Sequence, residues 1–156
     1  MSKPTRLDCL RFLADHISET DIVVPALGET EALWHALSGG RPGNFYIRNG
    51  MSMPTSVGLG LAVAQPSRHV WVLEGDGGML MNLGSLSTIA AQGPRNLRII
   101  IFVNRQYQAS GGQRLSASVD FELLARGSGL QHVASVHAAS DLAKGLDVLA
   151  ASSGPA

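Results

Sequence analysis

The chain has 156 residues, of which 45% are hydrophobic and 15% are charged, so it forms one ordinary globular domain and not a disordered segment. Twelve basic and twelve acidic residues cancel, which gives no reason to expect a nucleic acid or a membrane as a partner. Cys9 is the only cysteine, which excludes a disulfide framework and argues against zinc or iron–sulfur sites held by this chain. No secretory leader or membrane-spanning stretch is apparent, so a cytoplasmic location is expected.

Helical and strand patterns alternate along the chain. The predicted helices cover residues 6–17, 30–37, 54–64, 79–91, 120–127 and 140–151. The predicted strands cover residues 22–24, 45–47, 69–73, 97–103 and 131–135. The run 97–103 is almost entirely apolar, as is typical of a central parallel strand covered on both faces. The alternation predicts an α/β fold of three layers, in which helices cover both faces of a mostly parallel sheet.

No internal repeat or linker divides the sequence, so residues 1–156 are interpreted as a single domain. One more strand would be natural after the last predicted helix, yet only a short Gly-Pro-Ala segment follows it. We therefore expect a domain that lacks its last edge strand or a truncated sequence, and the residues leave both open.

A glycine-rich loop follows the third predicted strand. Gly75, Gly77 and Gly78 surround Asp76 there, and such glycines let a backbone approach a phosphate at the start of a helix. An aspartate at contact distance from a phosphate would repel it unless a divalent cation lay between them. Asp76 therefore predicts a Mg²⁺ ion that bridges a diphosphate.

Asn104 ends the next strand, one helix and one strand after Asp76. A parallel neighbouring strand would bring the Asn104 side-chain oxygen beside the Asp76 carboxylate. Mg²⁺ takes about six oxygen ligands and accepts neutral carbonyls among them. These two side chains, a backbone carbonyl just beyond Asn104 and two phosphate oxygens leave room for one water.

The Gly-Asp-Gly loop with its later asparagine resembles the cofactor motif of thiamine-diphosphate-dependent enzymes. The resemblance extends over most of residues 20–130 and is carried by the segments 41–46, 50–51, 58–60, 75–84, 111–113 and 120–121. It implies the thiamine-diphosphate-binding fold, with thiamine diphosphate and Mg²⁺ as cofactors. Within the family, the chain most resembles the C-terminal domain of phosphonopyruvate and sulfopyruvate decarboxylases, and the latter can carry this domain as a separate beta subunit. A carboxy-lyase acting on a small 2-oxoacid is therefore expected.

The resemblance also implies roles for individual residues around the metal. Asp76 and Asn104 would bind it through their side chains, and Gln106 would add its backbone carbonyl. The backbone N–H groups of Gly77 and Gly78 would meet the diphosphate.

Further roles follow for the loop before the metal site and for two residues beyond it. Met51 occupies the place of the bulky apolar residue that bends the cofactor, and Gly50 precedes it. The Asn49 carbonyl would accept from the 4′-amino group, although the family more often has glycine there. Tyr107 is a candidate for the pocket, and Glu29, which follows a strand end, is a candidate for its substrate side or for a structural role.

In the enzymes that the chain resembles, a glutamate on the pyrimidine N1′ activates the cofactor and belongs to a separate pyrimidine-binding domain. A chain of this length, filled by one domain, has no room for that domain. We therefore expect an alpha-type partner subunit, a hetero-oligomer of at least four chains, and no decarboxylation by this chain alone.

Three alternatives stay open at the level of sequence. An acetolactate-synthase-like carboligase shares the motif, but typically in a longer chain. A 2-oxoacid:ferredoxin oxidoreductase subunit would need every iron–sulfur cluster on other subunits, because cysteine ligands are missing here. A non-catalytic scaffold domain is the third, although intact Asp76 and Asn104 speak against it.

Overall fold

A computed structural model describes residues 3–115 and 119–156. Within these residues, a sheet of three parallel strands in the order β1-β2-β3 lies between two layers of helices. Its strands are β1 (Ile22–Pro25), β2 (Val70–Gly75) and β3 (Leu97–Phe102). The helices are α1 (Arg6–His16), α2 (Glu29–Ser38), α3 (Pro54–Ala64), α4 (Asp76–Met81), α5 (Gly84–Gln92), α6 (Phe121–Gly127) and α7 (Leu142–Ala150). A small antiparallel hairpin, β4 (Gln106–Tyr107) and β5 (Gln113–Arg114), follows β3.

Both faces of the sheet are apolar because the strand side chains alternate between two buried clusters. Val70 and Val72 of β2 pack towards α3 and α5 in one cluster. Trp71 and Leu73 pack towards α1 and α2 in the other, where Trp34 is completely buried. The three-layer α/β fold predicted from the sequence is therefore confirmed.

The start of α1 is fixed by a capping box. The Asp8 N–H donates to Thr5 Oγ1 at 3.2 Å, and the Thr5 N–H donates to the Asp8 carboxylate at 2.9 Å. Arg6 is consequently the first residue of the helix.

Two predicted strands are wrong, and one predicted helix is interrupted. At 45–47 the chain only touches the edge of β1, through an isolated bridge between Asn44 and Val23, before it turns away. Residues 131–135 form no ladder. The helix predicted over 79–91 is divided because Asn82 leaves the helical conformation and its amide donates to the Ser52 carbonyl at 3.0 Å.

The outer edge of β3 is contacted by the last residue. The Ala156 N–H donates to the Leu97 carbonyl at 3.2 Å, and its carbonyl accepts from the Ile99 N–H at 2.6 Å, as in a parallel bridge. The buried Arg98 guanidinium donates to the Gly154 carbonyl at 3.3 Å and holds this tail. In the part of the chain that the structure describes, no helix has the length and apolar character needed to cross a bilayer.

Two glycines of α3 allow a matched test of the contact between this helix and β2. A Cβ on Gly58 would overlap Val72 Cγ2, whereas a Cβ on Gly60 would meet nothing within 4 Å. Gly60→Ala should raise the free energy of unfolding by about 0.5–1 kcal/mol through helix propensity. Gly58→Ala should lower the free energy of unfolding. Its overpacking against Val72 costs about 1–3 kcal/mol, which outweighs the gain in helix propensity. Urea unfolding of both variants checks this, and equal stabilisation by both would contradict the contact.

Candidate metal and cofactor site

The ends of β2 and β3 meet at a buried carboxylate. Asp76 is only 2% exposed, and its Oδ2 accepts from the Arg105 N–H at 2.6 Å. Its Oδ1 accepts from the Gly77 N–H at 3.0 Å. The structure thus holds the loop after β2 against the residue that follows Asn104, as the prediction of adjacent strand ends requires.

The amide of Asn104 is held on both sides. Its Oδ1 accepts from the Gln106 N–H at 3.0 Å, and its Nδ2 donates to Gln108 Oε1 at 2.9 Å. The oxygen therefore faces a backbone turn in which the preceding N–H group, that of Arg105, donates to Asp76. An amide oxygen so placed is a suitable ligand for a hard cation.

Among residues 3–115 and 119–156, three residues that are not glycine have positive φ, and all three lie in the loops around this site. They are Asn49 (φ 60°), Ser52 (φ 65°) and Arg105 (φ 63°). Asparagine is among the side chains that best tolerate this left-handed region. The family more often has glycine where this chain has Asn49. The positive φ explains why asparagine can replace it, because glycine and asparagine both adopt this conformation readily.

Two glycines of the loop are required by their neighbours. A Cβ on Gly77 would lie 2.5 Å from Cδ1 of the Tyr107 ring, and a Cβ on Gly78 would overlap the Glu74 carboxyl group. The ring of Tyr107 and the carboxyl of Glu74 therefore lie directly against the backbone of the loop. Packing within the chain therefore accounts for glycine at both positions.

A pocket of about 210 Å³ opens at these strand ends. Its lining contains most of the predicted site residues: Glu29, Met51, Gly75, Asp76, Gly77, Gly78, Asn104, Gln106 and Tyr107. Asn49 and Gly50 do not line it, although they lie on the loop that leads into Met51. The residues that line it without having been predicted are Arg6, Ala26, Leu27, Ser52, Glu74, Gln108 and Ala109. Glu74 could have been suspected from its place in the glycine-rich loop, whereas Arg6 carries no local signal.

Glu74 is a buried acid with one unpartnered oxygen. Its Oε1 accepts from the Gly75 N–H at 2.9 Å, and its Oε2 has no partner among the described residues. Burial raises the pKa of this carboxyl to about 7, and the hydrogen bond from Gly75 opposes that shift only in part. Near neutral pH the group is therefore close to half protonated.

Comparison with known proteins agrees with this geometry. Residues 30–156 match the family described as thiamine pyrophosphate enzyme, C-terminal TPP binding domain. The chain is 34% identical over 133 residues to sulfopyruvate decarboxylase subunit beta of Methanocaldococcus jannaschii, covering 83% of this chain and 69% of that protein. It is 35% identical over 155 residues to phosphonopyruvate decarboxylase of Streptomyces viridochromogenes, covering 99% of this chain but only 38% of that protein.

A solved structure supports the fold. It is described as a thiamin diphosphate-dependent enzyme isolated from Mycobacterium smegmatis, and it superposes with a TM-score of 0.83 at 19% identity. The match covers 97% of this chain and 30% of that one. Our chain therefore corresponds to one part of a longer molecule in that case.

The chain belongs to the thiamine pyrophosphate enzymes and carries their C-terminal cofactor-binding domain. The predictions of family, of thiamine diphosphate with Mg²⁺ as cofactors and of decarboxylases as relatives are confirmed. The residues present fit the metal, because one carboxylate, one amide oxygen and backbone carbonyls are ligands that Mg²⁺ accepts. Over residues 3–115 and 119–156, no cluster of three His, Cys, Asp or Glu side chains offers a competing metal site.

The raised pKa of Glu74 predicts a pH dependence of stability. The folded state binds this proton more tightly than the unfolded state, whose pKa is about 4.5. The stabilising contribution is therefore complete below pH 4.5 and is lost as the pH rises towards 7. Relative to Glu74→Gln, the free energy of unfolding should fall by about 2–3 kcal/mol between pH 5 and pH 8.

Urea unfolding of both proteins at several pH values, with EDTA and without cofactor, measures this difference. Contributions of all other titrating groups cancel between the two proteins. A stability difference that did not change over this range would show that Glu74 titrates normally.

Proposed function

We propose that this chain is the cofactor-binding subunit of a thiamine-diphosphate-dependent 2-oxoacid decarboxylase, a carboxy-lyase acting on sulfopyruvate or phosphonopyruvate. The observation that carries the proposal is the hydrogen bond from the Arg105 N–H to Asp76 Oδ2, which brings the two cofactor strand ends together. The names of the relatives support the substrate class, since they are sulfopyruvate and phosphonopyruvate decarboxylases. Residues 1–156 are proposed to be one diphosphate- and Mg²⁺-binding domain.

The proposed metal ligands are the Asp76 carboxylate, the Asn104 amide oxygen and the Gln106 backbone carbonyl. Two backbone N–H groups donate to Asp76, one to each carboxylate oxygen, and so fix the orientation of this proposed ligand. The hairpin β4–β5 pairs Gln106 with Arg114. This pairing holds the backbone that carries the proposed carbonyl ligand. The Gly77 N–H already donates to Asp76, so Gly78 is the better placed of the two proposed diphosphate donors.

Four residues are proposed to shape the cofactor pocket. Met51 supplies bulk beneath the bent cofactor, and the Asn49 carbonyl accepts from its amino group. Tyr107 lies against the glycine-rich loop, and Glu29 lines the pocket. Thiamine diphosphate, when bound, supplies the electron sink for loss of CO₂, while these side chains orient it and exclude water.

A partner subunit is part of the proposal. One relative is named a beta subunit, which supports a hetero-oligomer with a pyrimidine-binding, alpha-type chain that supplies the activating glutamate. Met53 and Met81 are exposed, and the bond from Asn82 to the Ser52 carbonyl ties together the two segments that carry them. Exposed methionines beside a cofactor pocket are suited to an interface. We also propose that the complex is cytoplasmic.

The metal site is tested with Asp76. Asp76→Ala and Asp76→Asn should each reduce Mg²⁺-dependent binding of thiamine diphosphate at least tenfold, because the only proposed charged ligand is lost. Asp147→Ala, an exposed aspartate on α7, is the matched control and should bind normally. Calorimetry of the assembled complex measures this. An Asp76 variant that folds and binds like the wild type would rule out the bridging metal.

The need for a partner is tested by activity. The purified chain with thiamine diphosphate and Mg²⁺ should release no CO₂ from sulfopyruvate, phosphonopyruvate or pyruvate, because the activating glutamate is expected on another subunit. Addition of the pyrimidine-domain chain that co-purifies with it should restore decarboxylation. Robust CO₂ release by the isolated chain would refute the divided site.

A further inference from the structure

The first residue of α1, Arg6, lines the same pocket as the proposed metal ligands. Arg6 is 15% exposed in its side chain, and its guanidinium lies 5.9 Å from the centre of the Phe102 ring, at the end of β3. The guanidinium pairs with the Glu29 carboxylate and also donates to Gln108 Oε1 at 3.2 Å. Arg6 therefore connects helices α1 and α2 with the segment that follows Asn104.

Arginine chemistry determines how the two amides in this chain of contacts are oriented. A guanidinium only donates hydrogen bonds, so the Gln108 atom that it contacts must be the amide oxygen. The same oxygen lies 2.9 Å from the Asn104 amide, and that neighbour must therefore be its nitrogen. The oxygen of Asn104 is therefore on the opposite side of the amide, where its second lone pair could bind a cation.

The contact of Asn104 with the Gln106 backbone gives the same orientation of the Asn104 amide independently. The Gln106 backbone N–H is also only a donor, and it lies 3.0 Å from the second amide atom of Asn104. That atom must be the oxygen. The backbone fixes one corner of the amide plane and Gln108 fixes the other, so the plane cannot rotate without losing a bond.

We propose that Arg6 is a positioning residue for the metal ligand Asn104 and acts through Gln108. Glu29 holds the guanidinium in place, which gives this acid a role apart from contact with substrate. The inference rests on the proposed function because it takes Asn104 as a ligand of Mg²⁺. Loss of such an outer partner typically weakens metal binding by about 10–100-fold.

The direction in which cation affinity changes when Arg6 is replaced distinguishes a positioning role from a simple effect of its charge. Removal of a nearby positive charge should strengthen the binding of a cation if only charge mattered. Removal of a positioning contact should weaken it. A direct contact of Arg6 with the diphosphate would also weaken cofactor-linked binding, but its effect would add to that of a change at Gln108.

The experiment is a double-mutant cycle on the affinity for Mn²⁺, measured by electron paramagnetic resonance. It uses the full chain with its co-purifying partner, with and without thiamine diphosphate. The variants are Arg6→Met, Gln108→Met and the double variant. Arg11→Met, an exposed arginine of α1, and Gln113→Met, an exposed glutamine of the same hairpin, are the matched controls. Gln108→Glu keeps an acceptor for both donors.

Arg6→Met and Gln108→Met should each weaken Mn²⁺ binding about tenfold, and the double variant should be no weaker than Gln108→Met alone. The controls and Gln108→Glu should stay within about threefold of the wild type or bind more tightly. Tighter binding by Arg6→Met, or additive losses in the double variant, would overturn the inference while leaving the metal site intact. A folded wild-type complex that bound no Mn²⁺ would remove the proposed function and this inference together.

Discussion

The hydrogen bond from the Arg105 N–H to the Asp76 carboxylate is the contact on which the site depends. It joins the loop after β2 to the turn after β3, and the Asp76 side chain is so completely buried that leaving its carboxylate unpaired would be costly. Arg105 has a positive φ of 63°. The parallel sheet brings the two loops to one edge, and this bond then connects them directly. Asn104 and Gln106 lie on either side of the residue that donates it.

The strained positions show how the fold is adapted to bring backbone close to a ligand. Ser52 and Arg105 are held in a left-handed conformation that is unfavourable for most side chains, and Asn49 adopts the same conformation, which asparagine tolerates better; all three lie in the loops around the site. The rest of the fold stabilises them, since two apolar clusters, one on each face of the sheet, are fully formed. The packed helices and sheet thus supply most of the stability. The loops at the carboxyl ends of the strands can therefore adopt the less favourable conformations that the site requires.

The sequence was sufficient for predictions that rest on local patterns, and of these the three layers are confirmed. Alternating apolar runs predicted the three layers, and an aspartate among glycines predicted the metal loop without any structure. It failed where geometry depends on distant contacts. The segment 45–47 has strand-like residues but turns away after a single bridge, and Asn82 interrupts a helix because of a carbonyl 30 residues earlier. Arg6 and Gln108 lie 102 positions apart, so nothing in either neighbourhood indicates that they meet.

The packing of Glu74 against Gly78 has a consequence for how this loop can vary. The carboxyl group occupies the volume that a Cβ at position 78 would need, so a side chain there has to displace the end of the Glu74 side chain. A relative with alanine or serine at position 78 should carry a shorter residue at position 74, or should hold the acid in another rotamer. The acid therefore fills space as well as titrating. Redesign of the glycine-rich loop has to consider the two positions together.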